Sequence, residues 1–175
     1  FGLKHRIPCW GFKLVEKKRP RKLLKSALLK YNIPVKDLNS IKLGADFILN
    51  KKTIKNHLLT KEPYIPRSYA YCSDTMYFKN IIKYISGVDL LYHEATFHSS
   101  MKKKAKSTYH STSEEAALVA KNGNVKELLL GHFSSRYKNL NILKNDAKNI
   151  FHNVHLAVEG SVWKIKKTYN YESNC

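Results

Sequence analysis

Acidic residues are scarce in this chain of 175 residues: 13 Asp and Glu stand against 32 Lys and Arg, leaving a formal net charge of +19. Such an imbalance points to an anionic partner, and nucleic acid is the usual one. Arginine is itself scarce, five of the 32 cations, while Lys, Asn, Ile and Tyr abound. Part of the charge therefore reads as compositional drift toward Lys, although attraction to phosphate does not require Arg. Cysteine is limited to Cys9, Cys72 and Cys175, far apart, with no CxxC pair. That excludes a disulfide-stapled secreted domain and suggests a reducing, cytoplasmic setting. No apolar run approaches the roughly 18 residues of a membrane span, and no signal-peptide pattern is visible. There is no internal repeat and no low-complexity tail. An initial Met is missing too. The opening "FGLKHRIPCWGFKLVEKK" reads as strand material from within a domain, so the chain is expected to be the back part of a longer protein.

What is present is a 43% hydrophobic sequence, enough for the core of about one domain. Residues 10–16, "WGFKLVE", read as a strand. "KKRPRKLLKSALLKYNIP" reads as a basic helix with Pro20 in its first turn and Leu23, Leu24, Ala27 and Leu28 on one stripe. Residues 35–68 lack a clear period and read as an arm, an extended loop or a solvated insertion. From residue 69 the pattern alternates. "YAYC" precedes a helix around 77–86, and "VDLLYH" (88–93) follows. A helix over 112–122 has Thr112 or Ser113 as cap and Glu115 near the capping-box position. Then come "ELLLGH" (127–132), a helix over 140–151, and the closing strands "VHLAV" and "SVWKI". Alternation of this kind predicts a layered α/β domain. Trp10, Tyr71 and Trp163 are expected as core or interface aromatics.

The chemistry gathers at strand ends. "YAYC" runs into Ser73-Asp74-Thr75, "VDLLY" into His93-Glu94, and "ELLLG" into His132. Ligands of α/β sheets bind at the carboxyl ends of strands, so these residues are placed to share one rim. Asp and His are suitable ligands for zinc, and a bridging carboxylate suits a two-metal hydrolytic site. Each has a plainer alternative: Asp74 as the cap of the next helix, Glu94 in a salt bridge, His132 as a hydrogen-bonded boundary residue.

"YCSDT", "DLLYHEATF", "YHSTSEEAA" and "LLLGHFSSRY", preceded by "LKHRIPCWGF", resemble the consecutive motifs of ribonuclease Z, the tRNA 3′-end endonuclease of the metallo-β-lactamase superfamily. The order and approximate spacing match over residues 3 to about 165. The resemblance implies an αββα metallo-β-lactamase-like sandwich, of which residues 1–175 would be the carboxyl-terminal part. It implies two zinc ions per complete site, with His5 on the first, Asp74 bridging both and His132 on the second. Glu94 and His110 would pass a proton to the leaving group, and Arg136 would contact a phosphate, its plainer role being an ion pair in the loops. Precursor tRNA would be the substrate, cut to leave a 3′ hydroxyl, and the enzyme would be a cytoplasmic homodimer.

Two departures accompany the resemblance. The family signature His-x-His-x-Asp-His is absent, so each zinc would find only two protein ligands here, and the chain alone is expected to bind zinc weakly and not to cleave RNA. The family's Gly- and Pro-rich tRNA-gripping arm would fall at residues 35–62, where this chain has one glycine, Gly44, but keeps Lys51, Lys52 and Lys55 among its lysines. Two other readings stay open: a non-catalytic RNA-binding or dimerising half of a duplicated fold, and another zinc phosphodiesterase of the same superfamily.

Overall fold

The computed structural model describes residues 1–169, which fall into two compact units. The first comprises Phe1–Val15 and Arg67–Ile165, the second Glu16–Pro66 together with the chain from Lys166.

The first unit is built on five strands: β1 (Phe12–Val15), β2 (Ser68–Cys72), β3 (Leu90–Glu94), β4 (Glu127–Gly131) and β5 (Val154–Leu156). Their spatial order is β5-β4-β3-β2-β1, with β2 to β5 mutually parallel and β1 an antiparallel edge. The crossovers carry helices, including α1 (Ser113–Asn122) and α2 (Asn141–Lys148). Alternation across the register fixes the faces. Ala70 and Cys72, Leu91, Leu128 and Leu130, and Val154 join Ala116, Val119, Ala120 and Ala147 of the helices in one core. Tyr71 and Tyr92 stack on the opposite face at 4.8 Å, and there Phe12, Leu14 and Tyr71 are exposed. α1 starts where its sequence predicts. Thr112 accepts from the Glu115 backbone, and the Glu115 carboxylate accepts from the Thr112 backbone.

Several sequence expectations need correction. The 77–86 helix shrinks to a 3-10 turn at Lys79–Ile81 and an α-helix at Ile82–Ile85. "SVWKI" forms no strand. Trp163 packs on His155 at 4.4 Å and donates to Glu127, while Arg67 donates to the Ile165 carbonyl. The segment thus passes from β5 and β4 toward β2, and a segment crossing strands cannot pair along one edge. Of the two places expected for Trp10, Tyr71 and Trp163, core or interface, their exposure rules out the core.

In the second unit the basic helix covers only Lys25–Tyr31. Lys22–Leu23 pairs instead with Thr60–Lys61, and Arg21 engages Glu62 and Thr60, so a non-local ladder claims the residues around Pro20. Residues 35–62 are folded rather than extended: Ile41, Phe47 and Leu59 pack with Ala27, and Phe47–Leu49 pairs with Lys52–Ile54. Asn50 and Lys51, both at positive φ, close that hairpin, as a tight two-residue turn requires. Among the described residues no helix is long and apolar enough to cross a membrane.

Candidate active site

The ends of β2, β3 and β4 converge. Ligand atoms of Asp74, Glu94, His110 and His132 all lie within 4.8 Å of one another. Three sheet neighbours in register produce this: Cys72 pairs with His93, and Glu94 pairs with Gly131, so the residues just beyond emerge along one rim. Gly131 leaves room for the Tyr92 ring, whose hydroxyl a Cβ there would meet at 2.1 Å. Asp74 and His132 both adopt left-handed backbone, φ 56° and 55°. Non-glycine residues adopt that region seldom, and such strain concentrates at functional sites.

Asp74 does not cap the next helix. That turn has Phe78 at its cap, without a side-chain hydrogen bond, and the Asp74 Oδ1 lies 3.3 Å from His132 Nε2. The protons around His132 can be assigned. The Thr96 hydroxyl has one hydrogen, and its shortest contact, 2.6 Å, is to Glu94 Oε2. The Thr96 Oγ1 to His132 Nδ1 contact of 2.9 Å is then an N–H donated by the imidazole. Nε2 is left with its lone pair toward the Asp74 carboxylate. Imidazole nitrogen and carboxylate oxygen facing each other in this way are donor types that a metal ion takes.

Glu94 serves a different purpose. It is fully buried and accepts from Thr75 N (2.5 Å), Thr96 Oγ1 (2.6 Å) and Ser111 N (3.1 Å), while His110 Nδ1 lies 3.1 Å from both its oxygens. Its lone pairs are taken up within the protein. Burial alone would push the carboxyl upward, but the bonds from His110, Thr96 and Thr75 outweigh it and hold the group below the ordinary value. The same hydrogen bond raises the His110 pKa against partial desolvation. His110 is therefore an oriented imidazole whose protonated form is favoured and whose Nε2 is the remaining donor.

His5 stands one step outside this cluster. Its Nδ1 donates to the Tyr109 carbonyl (3.1 Å), and its ring centre is 5.3 Å from that of His110. Arg136 lies over the Phe97 ring, 5.1 Å from its centre, with Nε on Ser134 and a guanidinium nitrogen 3.2 Å from Met101 Sδ. His93, adjacent to Glu94, is buried on the core face with its Nδ1 on the Glu94 carbonyl, outside the site. In the second unit Lys51 and Lys52 are exposed, and Lys55 bonds Asp46 at 3.0 Å. Reading motifs for ligands alone missed Thr75, Thr96 and Ser111, which fix Glu94 and His132. Only Thr96 does so through its hydroxyl, which "HEAT" displays, whereas Thr75 and Ser111 donate backbone N–H groups that no side-chain pattern shows.

No protein-family model matches the chain. The ribonuclease Z of Bacteroides thetaiotaomicron is 47% identical over 158 residues, covering 90% of this chain and 50% of that protein. The ribonuclease Z of Phocaeicola vulgatus is 48% identical over 158 residues, covering 90% and 51%. Among solved structures, the metallo-β-lactamase fold protein YhfI from Bacillus subtilis aligns with a TM-score of 0.53 at 30% identity, over 56% of this chain and 40% of that one. A human tRNase Z, short form, aligns with a TM-score of 0.51 at 25% identity, over 95% of this chain and 42% of that one. The fold is that of the metallo-β-lactamase group, and the chain spans about half the length of the curated relatives it matches.

Proposed function

We propose that this chain, which belongs to the ribonuclease Z family, carries one side of a two-zinc site that removes the 3′ trailer from precursor tRNA and leaves a 3′ hydroxyl. The observation that carries the reading is the gathering of Asp74, Glu94, His110 and His132 within 4.8 Å, with His132 Nε2 3.3 Å from the Asp74 carboxylate. Imidazole nitrogen and carboxylate oxygen are the donors zinc takes, and the His132 Nδ1–H bonded to Thr96 is the outer support such a ligand needs. His5 has the same form, with Nδ1–H on a carbonyl and Nε2 left over, and would join as a further ligand. Zinc, when bound, supplies charge neutralisation at the phosphate and an acidified water.

The chain's own residues do the rest. Glu94 holds His110 upright and charged, so that His110 can donate a proton to the departing 3′ oxygen. Arg136, at the rim on the Phe97 ring, is placed to meet a phosphate oxygen. The acting protein would be a cytoplasmic homodimer. The chain contains no His-x-His-x-Asp-His, so by itself it should bind zinc weakly and turn over no RNA. A polypeptide joining it to the half of a relative that it does not span should cut precursor tRNA in a standard cleavage assay. Robust turnover by the 175-residue chain alone would contradict the half-site reading.

The lysines of the second unit would grip the tRNA body. Lys51→Gln with Lys52→Gln should weaken tRNA binding and lower the slope of log affinity against log salt by about 1 for each lost phosphate contact. Lys55→Gln should change the slope less, since Lys55 is already occupied by Asp46. An unchanged slope in the double variant would assign the unit to a merely solvated insertion.

A further inference from the structure

Beside the proposed centre lies an open hollow of about 490 Å³, lined by Met76, Lys103, Lys106, Ser107 and Tyr109, whose walls are largely carbon. Its two ends are chain neighbours of the site: Met76 follows Asp74 by two residues, and Tyr109 precedes His110. Both ends are anchored. The Met76 N–H donates to the Lys4 carbonyl at 2.8 Å, and the Tyr109 carbonyl accepts from His5 at 3.1 Å. The Tyr109 ring is 40% exposed and edge-on to His5, with ring centres 6.3 Å apart.

Two features mark the hollow as more than surface relief. Tyr109 has φ 60°, backbone that glycine or asparagine adopts at less cost than an aromatic residue. A strained position that nevertheless displays a large ring to solvent indicates that the ring is wanted there. Lys103 and Lys106 lie three apart on the helix Lys102–Ser107, hence on one face. Lys102 of the same helix has Glu115 at 3.9 Å, whereas Lys103 and Lys106 have no acidic partner among the described residues. One flat ring, an apolar floor and two unneutralised cations on a rim match the two halves of a nucleotide, a base face and a phosphate. An acidic peptide would answer the lysines but leave the ring and the apolar floor unused.

Resting on the nuclease reading above, we infer that this hollow seats the nucleotide on the 5′ side of the cleaved bond, its base stacked on Tyr109 and its phosphate held by Lys103 and Lys106. The side follows from His110: the nucleotide whose 3′ oxygen receives that proton must lie next to it, and Tyr109 is the adjoining residue.

Fluorescence anisotropy with the full chain and a short labelled single-stranded RNA, in a chelator so that metal plays no part, tests this. Tyr109→Gly removes the ring and relieves the backbone. It should weaken binding about tenfold while the melting temperature holds or rises, and Tyr109→Phe should bind as the parent does. Lys103→Gln with Lys106→Gln should lower the salt slope by about 0.7, the value for one phosphate contact on a single strand. Parental affinity in a folded Tyr109→Gly chain, or equal loss in Tyr109→Phe, would overturn the stacking role. An unchanged slope in the lysine variant would overturn the phosphate role. Binding of labelled poly-glutamate as tight as that of the RNA, kept in Tyr109→Gly and lost in the lysine variant, would assign the hollow to acidic peptides and overturn the inference. A parent chain that binds no single-stranded RNA would overturn the nuclease reading itself, and this inference with it.

Discussion

Glu94→Ala is expected to destabilise the chain by about 3–5 kcal/mol, a drop in melting temperature of roughly 10 °C. The carboxylate has no exposed surface and is the common acceptor for Thr75 N, Ser111 N, Thr96 Oγ1 and His110 Nδ1. Deleting it strands two backbone donors and one imidazole in a buried place, and leaving donors unpaired costs more than the bonds themselves contribute. Thr96 would lose its tie to β3, and with it the group that orients His132. The loss should depend on pH in a defined way. Glu94 has a folded pKa below its ordinary 4.5, so its contribution is full above that value and fades as pH falls through the folded one. His110 has a folded pKa above its ordinary 6.5, so its contribution is full below that value and fades as pH rises through the folded one. The gap between the parent and Glu94→Gln should therefore be widest between 4.5 and 6.5 and narrow on both sides. Thermal melts across pH measure it, and a gap independent of pH would show that the pair is not an ion pair.

His110→Ala is expected to slow cleavage by about 10²–10⁴-fold in a polypeptide that completes the site, with little change in RNA affinity. The imidazole is half-buried, and its Nδ1 is committed to Glu94, so only Nε2 can serve the leaving oxygen. A substrate whose leaving group needs no proton, such as a nitrophenyl ester of the nucleotide, should recover most of the loss. Glu94→Gln should move the alkaline limb of the rate profile to lower pH, because His110 loses the partner that raises its pKa. Equal loss on both substrates would make His110 a structural residue.

Much of the site was legible from the sequence because it is written in short, local segments. Asp74, Glu94 and His132 each end an apolar run of a parallel strand, and register alone brings such ends together. The α1 cap at Thr112 and Glu115 was equally local. Less legible were features decided by residues distant in sequence. Lys22–Leu23 is held as a strand by Thr60–Lys61, overriding a helical pattern. Residues 35–62 gain order from a small core around Ile41, Phe47 and Leu59 that shows no simple period. Trp163 follows His155 and Glu127 rather than a sheet edge. The residues alone did not separate the two carboxylates, and only the resemblance gave them different roles. Asp74 and Glu94 look alike as letters, but Glu94 is enclosed by its donors while Asp74 faces a bare imidazole nitrogen.

That last distinction carries the functional account, and a zinc titration of the purified chain by calorimetry, run on the parent, His132→Ala and Asp74→Asn, tests it most directly. The expected result is weak, saturable binding in the parent that vanishes in both variants while their melting temperatures hold. Superimposable isotherms from all three proteins would contradict it.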